Sequence, residues 1–208
     1  MLKHFIAIIG TLLLSAAVSI YAQTLDADAL KSFSPSTIRE AFEICRYVKL
    51  TAQQQIKLAE AIDAENAEFV RLVAADNGIM SVKTRNRMRK LRDSALATIL
   101  DHEQLAQYYR GVYDAEANAE GISIADRLQK KYDLTDQNWK FIRIAFYKIG
   151  LESRVIRKLM ADTPKKAEIA RLREEQLKSI EEKGGIRVNP DMTVVYVREF
   201  KADALRKE

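Results

Sequence analysis

The chain has 208 residues, 48% hydrophobic and 30% charged, with 7 Gly, 3 Pro and a formal net charge of +5. This is the composition of a folded globular protein, and it excludes the disordered, collagen-like and low-complexity classes. One Cys and two His exclude an internal disulfide framework and leave little material for a zinc cluster or a His-dependent catalytic triad. In chain order, a basic Lys3 is followed by an apolar run over residues 5–18 and by Ser19-Ile20-Tyr21-Ala22, ending in a small residue. That order is the grammar of a signal peptide cleaved after Ala22. Gly10, Thr11 and Ser15 interrupt the run, which falls short of the about 20 apolar residues that span a bilayer. An exported mature chain follows, periplasmic or secreted, of 186 residues once 22 of the 208 are removed, with a charge of +4 because Lys3 is lost.

Beyond the leader the apolar spacing is helical. Ile56, Ala59, Ile62, Phe69, Leu72 and Val73 recur at intervals of three, four or seven, as do Phe141, Ile144, Ala145, Ile149, Val155, Ile156 and Leu159, which predicts amphipathic helices. Helix starts carry their own punctuation. Phe33-Ser34-Pro35 places Pro at the first helical position, Leu50-Thr51-Ala52-Gln53-Gln54 is a capping box, and Leu100-Asp101-His102-Glu103-Gln104 repeats the device. Leu134-Thr135 and Thr163-Pro164 open two more helices, in each case by putting an oxygen on the orphan amides of the first turn or removing one of them. Gly78 and Gly184-Gly185 are stops. Eight helices are predicted, near 35–47, 52–76, 82–98, 102–119, 124–131, 136–161, 164–182 and 190–206. Cys45, among Phe42, Ile44 and Val48, reads as a buried thiol, with an intermolecular disulfide as the alternative. His102 reads as the first residue of a helix, and no metal ligand set is found.

The order of these pieces repeats. Leu50-Thr51 aligns with Leu134-Thr135 at a shift of 84, Phe69-Val70-Arg71 with Val155-Ile156-Arg157 at 86, and Arg85 and Arg87 with Arg171 and Arg173 at the same shift. At 87, Tyr109 meets Tyr196 and Tyr113 meets Phe200. The predicted architecture is therefore all-α, one domain over residues 23–208 built from two tandem four-helix copies of about 86 residues, near 34–119 and 121–206. In the last piece propensity and repetition disagree. Ile186-Arg187-Val188, an Asn189-Pro190-Asp191 turn and Thr193-Val194-Val195-Tyr196-Val197 favour a short β-hairpin, while the repeat favours a helix.

The LTxxQ pattern of Leu50-Thr51-x-x-Gln54, followed by Leu100-Asp101-x-x-Gln104 and by Leu134-Thr135, resembles the Spy/CpxP family of periplasmic helical proteins, whose mark is an LTxxQ sequence occurring twice. The second motif carries Asp101 where that family has Thr. The resemblance implies an ATP-independent chaperone or envelope-stress modulator, a homodimer of curved helices that holds unfolded clients on a basic and apolar face. From the residues alone, the motif positions read as helix caps.

Charge supplies the second functional signal. Lys83, Arg85, Arg87, Arg89, Lys90 and Arg92 fall within ten residues that contain no acid, and Arg171 and Arg173 echo them. At 100° per residue Lys83, Arg87 and Lys90 share one face of a helix, and Arg85, Arg89 and Arg92 another. Lys83, Arg85, Arg87, Arg89, Arg92, Arg171 and Arg173 are thus the candidate client-binding residues, set against a plain solvated face. Arginine stems cover apolar surface while their heads stay wet, which suits unfolded chains or acidic partners. An anionic membrane surface is a weaker partner open to the same charges. Nucleic acid is not expected of an exported chain of small net charge. No GxSxG, P-loop, HExxH or GxGxxG occurs, so no enzyme activity and no cofactor are expected. The expected function is an exported, chaperone-like binder of unfolded or partner polypeptides. The alternative is a helical scaffold or adaptor for one folded envelope partner.

Overall fold

A computed structural model describes residues 25–160 and 162–197 of the chain. The segment read as a signal peptide lies outside the described residues. The elements in order are α1 (Ala27–Leu30), α2 (Pro35–Cys45), α3 (Ala52–Ala75), α4 (Val82–Ile99), α5 (His102–Tyr132), α6 (Asp136–Leu159), α7 (Asp162–Gly184), β1 (Ile186–Val188) and β2 (Val194–Tyr196). The structure is mostly helical. It divides into two compact units, one ending at Gln104 and the other beginning at Leu105.

In the first unit, helix starts follow local chemistry. The Asp26 carboxylate accepts from the Ala29 amide, the Ser34 hydroxyl from Thr37 with Pro35 in the first turn, and Ser81 from Thr84. At α3 the capping box is complete: Thr51 Oγ1 accepts from the Gln54 amide and Gln54 Oε1 accepts from the Thr51 amide. Gln55, 2% exposed, ties α1 to α3, because its Oε1 accepts from the Asp26 amide while its Nε2 donates to the Leu50 carbonyl. The α3 side chains that are buried are Gln55, Leu58, Ala59 and Ile62, all in its first half. Ala41, Ile44, Cys45 and Val48 from α2 and its exit are buried too, as are Leu96 and Leu100 at the far end of α4. Burial pushes the Cys45 thiol up to about 11, since a thiolate would lose its hydration there.

The second unit is built on α5 and α6, which approach closely where α5 presents Ala117, Gly121 and Ala125, all buried. A Cβ on Gly121 would stand 2.7 Å from the Arg143 carbonyl oxygen and 2.9 Å from the Tyr147 amide nitrogen. Polar ties flank this contact: Arg154 reaches Glu116 and Glu120, Arg110 reaches Glu152, and the Tyr147 hydroxyl donates to Asp114. At α6, Thr135 caps Asn138. The apolar cluster of this unit joins Leu128, Leu134, Ile142, Phe146 and Ile180 with Ile186 and Val188.

Three expectations need correction. Among the described residues there are seven helices, not eight. Segments 102–119 and 124–131 form the single helix α5, because the contact that requires Gly121 lies inside a continuous helix rather than at a break. The helix expected over 190–206 is absent as far as it is described. Ile186 pairs with Tyr196 and Val188 with Val194 in an antiparallel hairpin. Its turn has Met192 at φ 65° and Asp191 accepting from the Thr193 amide. Ile186 and Val188 both bury while Arg187 stays out, which is the period of two that a strand supplies and a helix does not. Residues 198–206 lie outside the described residues. Finally, α1 was not anticipated; at four residues it is too short to show a period.

Replacing Gly121 with Ala should destabilise the protein. The new methyl meets backbone atoms that cannot swing aside, an overpacking cost of about 1–3 kcal/mol toward its upper end, against the about 1 kcal/mol that Ala gains over Gly in a helix. The expected result is a lower urea midpoint with an unchanged slope. A raised midpoint would contradict the close approach.

Candidate functional site

The basic stretch lies on α4, and α4 is held against α3 at four levels. At the start of α3 the two motif glutamines interlock. Gln54 Nε2 donates to the Ile99 carbonyl at 3.0 Å and Gln104 Nε2 to the Lys49 carbonyl at 2.9 Å. The two amide groups also bond each other, with Gln54 Nε2 2.8 Å from Gln104 Oε1 and Gln104 Nε2 3.3 Å from Gln54 Oε1. Gln104 completes its own cap as Gln54 does, accepting from the Asp101 amide while Asp101 Oδ1 accepts from the Gln104 amide. Leu50 and Leu100 are buried beside the two caps. Thus Leu50, Thr51, Gln54, Leu100, Asp101 and Gln104 form one arrangement. Leu134 and Thr135, in the second unit, cap α6 separately, with Leu134 buried and Asn138 in place of a glutamine.

Midway along the hairpin, Arg92 of α4 bridges Glu65 of α3 and Glu40 of α2. Burial disfavours its charge, but the hydrogen bonds and charges of Glu65 and Glu40 outweigh that cost and hold its pKa above the ordinary guanidinium value. Toward the far end, Arg87 and Arg71 share Glu68, at 2.9 and 2.6 Å. At the loop itself, Asp76 accepts from the hydroxyls of Ser81 and Thr84. These bonds hold its carboxyl below the usual range.

The sequence-predicted cations therefore separate into three kinds. Arg87 and Arg92 are spent on acids within the unit. Lys83, Arg85 and Arg89 are exposed, and no described carboxylate forms an ion pair with them. Arg171 and Arg173 lie on α7 in the second unit, where Arg171 is bonded to Glu168 and Arg173 is exposed. Arg85, Arg89 and Arg92, one face by spacing, line an open groove of about 440 Å³ between α3 and α4, together with Phe69, Met80 and Met88. Lys83 and Arg87 do not line it. Nothing in the sequence marks the groove's apolar floor as part of a site. In the sequence Phe69 is only one residue of an amphipathic stripe, and the two methionines carry no motif. Nor could the partners of Arg92 be read, since Glu65 and Glu40 lie 27 and 52 residues away.

A groove of this kind fits an amphipathic group, an apolar side chain resting on Phe69 and the thioethers with an adjacent anion toward Arg85 and Arg89. Methionine fills irregular space and re-packs easily, which suits a surface that meets more than one shape. No known protein family, no curated protein and no solved structure matches the chain.

The Asp76 clasp has a predicted acid limit. A carboxyl whose folded pKa lies below its unfolded value adds stability that is full above the unfolded value and is lost as pH falls through the folded one. The Thr84 amide resonance should therefore titrate with a midpoint below the ordinary Asp range, and Asp76→Asn should abolish that transition. A midpoint at the unperturbed value would contradict the clasp.

Proposed function

We propose that this chain is an exported, non-enzymatic helical protein that binds unfolded polypeptides without ATP, similar in kind to the Spy/CpxP proteins its LTxxQ motifs resemble. The observation that carries the reading is the α3–α4 groove, in which the apolar floor of Phe69, Met80 and Met88 lies beside exposed Arg85 and Arg89. Unfolded chains offer apolar side chains and carboxylates in every order. A shallow groove with flexible apolar residues and long cationic stems accepts them without demanding one sequence. The interlocked Gln54 and Gln104 belong to this reading as the framework that orients α4, and no cofactor is needed for it.

The duplication enters in a shorter form. α3 and α6 are each 24 residues long, each opened by a capping Thr, and each is followed by a second helix that carries an arginine cluster. These features support a repeated helical pair. Arg171 and Arg173 are then the second copy's counterparts of Arg85 and Arg87.

Aggregation of a chemically unfolded client, followed by light scattering, tests the function. Stoichiometric protein should suppress scattering at low salt and lose potency as ionic strength rises, because exposed charges are screened. The variant Arg85→Ser/Arg89→Ser should weaken apparent client affinity by about two- to fivefold per arginine, the range of exposed ionic contacts. Absence of suppression at low salt would overturn the proposal. Crosslinking from the envelope fraction to one stoichiometric folded partner would establish the adaptor instead.

A further inference from the structure

The end of the α3–α4 hairpin has a property the groove does not use. The loop of residues 76–81 is tightly specified. Asn77 and Gly78 adopt φ of 56° and 81°, the Gly78 amide donates to the Val73 carbonyl at 2.8 Å, and the Asp76 clasp fixes the first turn of α4. A loop so constrained could bury its apolar side chains against the helices, yet it leaves them exposed, Ile79 and Val82 most of all. Ile79 is 69% exposed, Val82 70% and Met80 42%. From residue 63 to residue 95 no apolar side chain is buried, so this end of the hairpin lies beyond the buried part of its unit.

Along the chain the charge flanking these side chains is almost all of one sign, while Glu65 and Glu68 of α3 pair with Arg92 and Arg87. From Arg71 to Arg92 the only acid is Asp76, and its oxygens are taken by Ser81 and Thr84. Lys83, Arg85, Arg89 and Lys90 are exposed, and no described carboxylate forms an ion pair with them. Lys83 contributes only a favourable field at Asp76. An exposed apolar cluster followed immediately by a run of cations on α4 matches the boundary of an anionic bilayer. There, apolar side chains enter below the headgroups while lysine and arginine remain at phosphate level. A soluble chain would be received by a concavity, and of the three apolar residues only Met80 lines the groove.

We propose that the α3–α4 loop is a membrane-docking tip, inserting Ile79, Met80 and Val82 into the surface of an anionic bilayer while Lys83, Arg85 and Arg89 contact lipid phosphates. No described helix is long and apolar enough to cross a membrane, and the contact is confined to one leaflet's surface. The tip and the groove share Met80, Arg85 and Arg89, so occupation of one competes with the other. The docking does not depend on polypeptide binding.

The test places a polarity-sensitive fluorophore on the full chain through Ile79→Cys, the native thiol of Cys45 being buried, with Glu60→Cys on the first half of α3 as the comparison site. Vesicles are of equal parts phosphatidylglycerol and phosphatidylcholine, or of phosphatidylcholine alone. The expected result is a blue shift at position 79, absent at position 60, on the anionic vesicles only. Each of Lys83→Gln, Arg85→Gln and Arg89→Gln should weaken it by about fivefold, the contribution of one basic residue near an anionic surface. Molar salt should abolish it. Val82→Ser should reduce it while leaving the helical circular dichroism unchanged. Equal shifts on both vesicle types, as an apolar leader alone would give, or equal shifts at positions 60 and 79, would overturn the proposal. So would a shift produced by an acidic unfolded polypeptide and not by anionic vesicles.

Discussion

Two helix starts fifty residues apart in sequence are joined through two glutamine side chains. Each of Gln54 and Gln104 uses its amide oxygen to close its own cap and its amide nitrogen to reach the carbonyl two residues before the other cap. A capping box by itself satisfies local amides and says nothing about tertiary structure. Here the same side chain has a donor left over, because a side-chain amide carries an acceptor oxygen and two N–H donors on separate atoms and can accept locally while donating at a distance. The geometry sets the end of α4 beside the start of α3, so α4 must run antiparallel to α3 and their connecting loop must lie at the opposite end. Everything proposed for the α3–α4 hairpin follows from that constraint.

Along the hairpin the acids decide which cations remain. Glu65 and Glu40 take Arg92, Glu68 takes Arg87 and Arg71, and Asp76 is closed by two hydroxyls. What remains at the surface is a set of cations next to Phe69, Met80 and Met88 on one side and to Ile79 and Val82 at the loop. A solvated basic face would distribute its cations among polar neighbours. In this unit Arg85 and Arg89 line a groove with Phe69, Met80 and Met88 instead, and Lys83 directly follows the exposed Val82, an arrangement that suits both polypeptide binding and membrane docking. The α7 cluster differs in kind. Arg171 is bonded to Glu168 of its own helix three residues before, an interaction of the local i,i+3 type.

The parts of this structure that were readable in the sequence are those set by neighbours within about four residues. Ser34, Thr51 and Thr135 all cap helices whose starts follow directly, because an N-cap is a contact across three residues. The parts that were not readable depend on distant atoms. Gly121 resembles a helix break until Arg143 and Tyr147, more than twenty residues on, are known to require the missing Cβ. Residues 186–197 show the opposite error. Their β-branched composition points to strands, while the alignment at a shift of 87 residues points to a helix. The alternation of Ile186 and Val188 into the apolar cluster shows that local preference and packing agreed. For the surface, the 100° rule grouped Arg85, Arg89 and Arg92, and they line one groove. Which of them is neutralised depended on Glu40 and Glu65, whose positions only the fold determines.

The cross-tie of Gln54 and Gln104 is the central structural claim, and a double-mutant cycle addresses it most directly. Gln54→Ala and Gln104→Ala are each expected to cost about 1–3 kcal/mol by urea unfolding, since each removes a cap partner and deprives a carbonyl of its donor. If the two side chains bond one another as well as each other's helix starts, the double variant loses less than the two single losses combined, by about 1 kcal/mol, within the range for side chains in contact. Additive losses, agreeing to within about 0.3 kcal/mol, would mean that the two caps are independent and that the orientation of α4 has another origin.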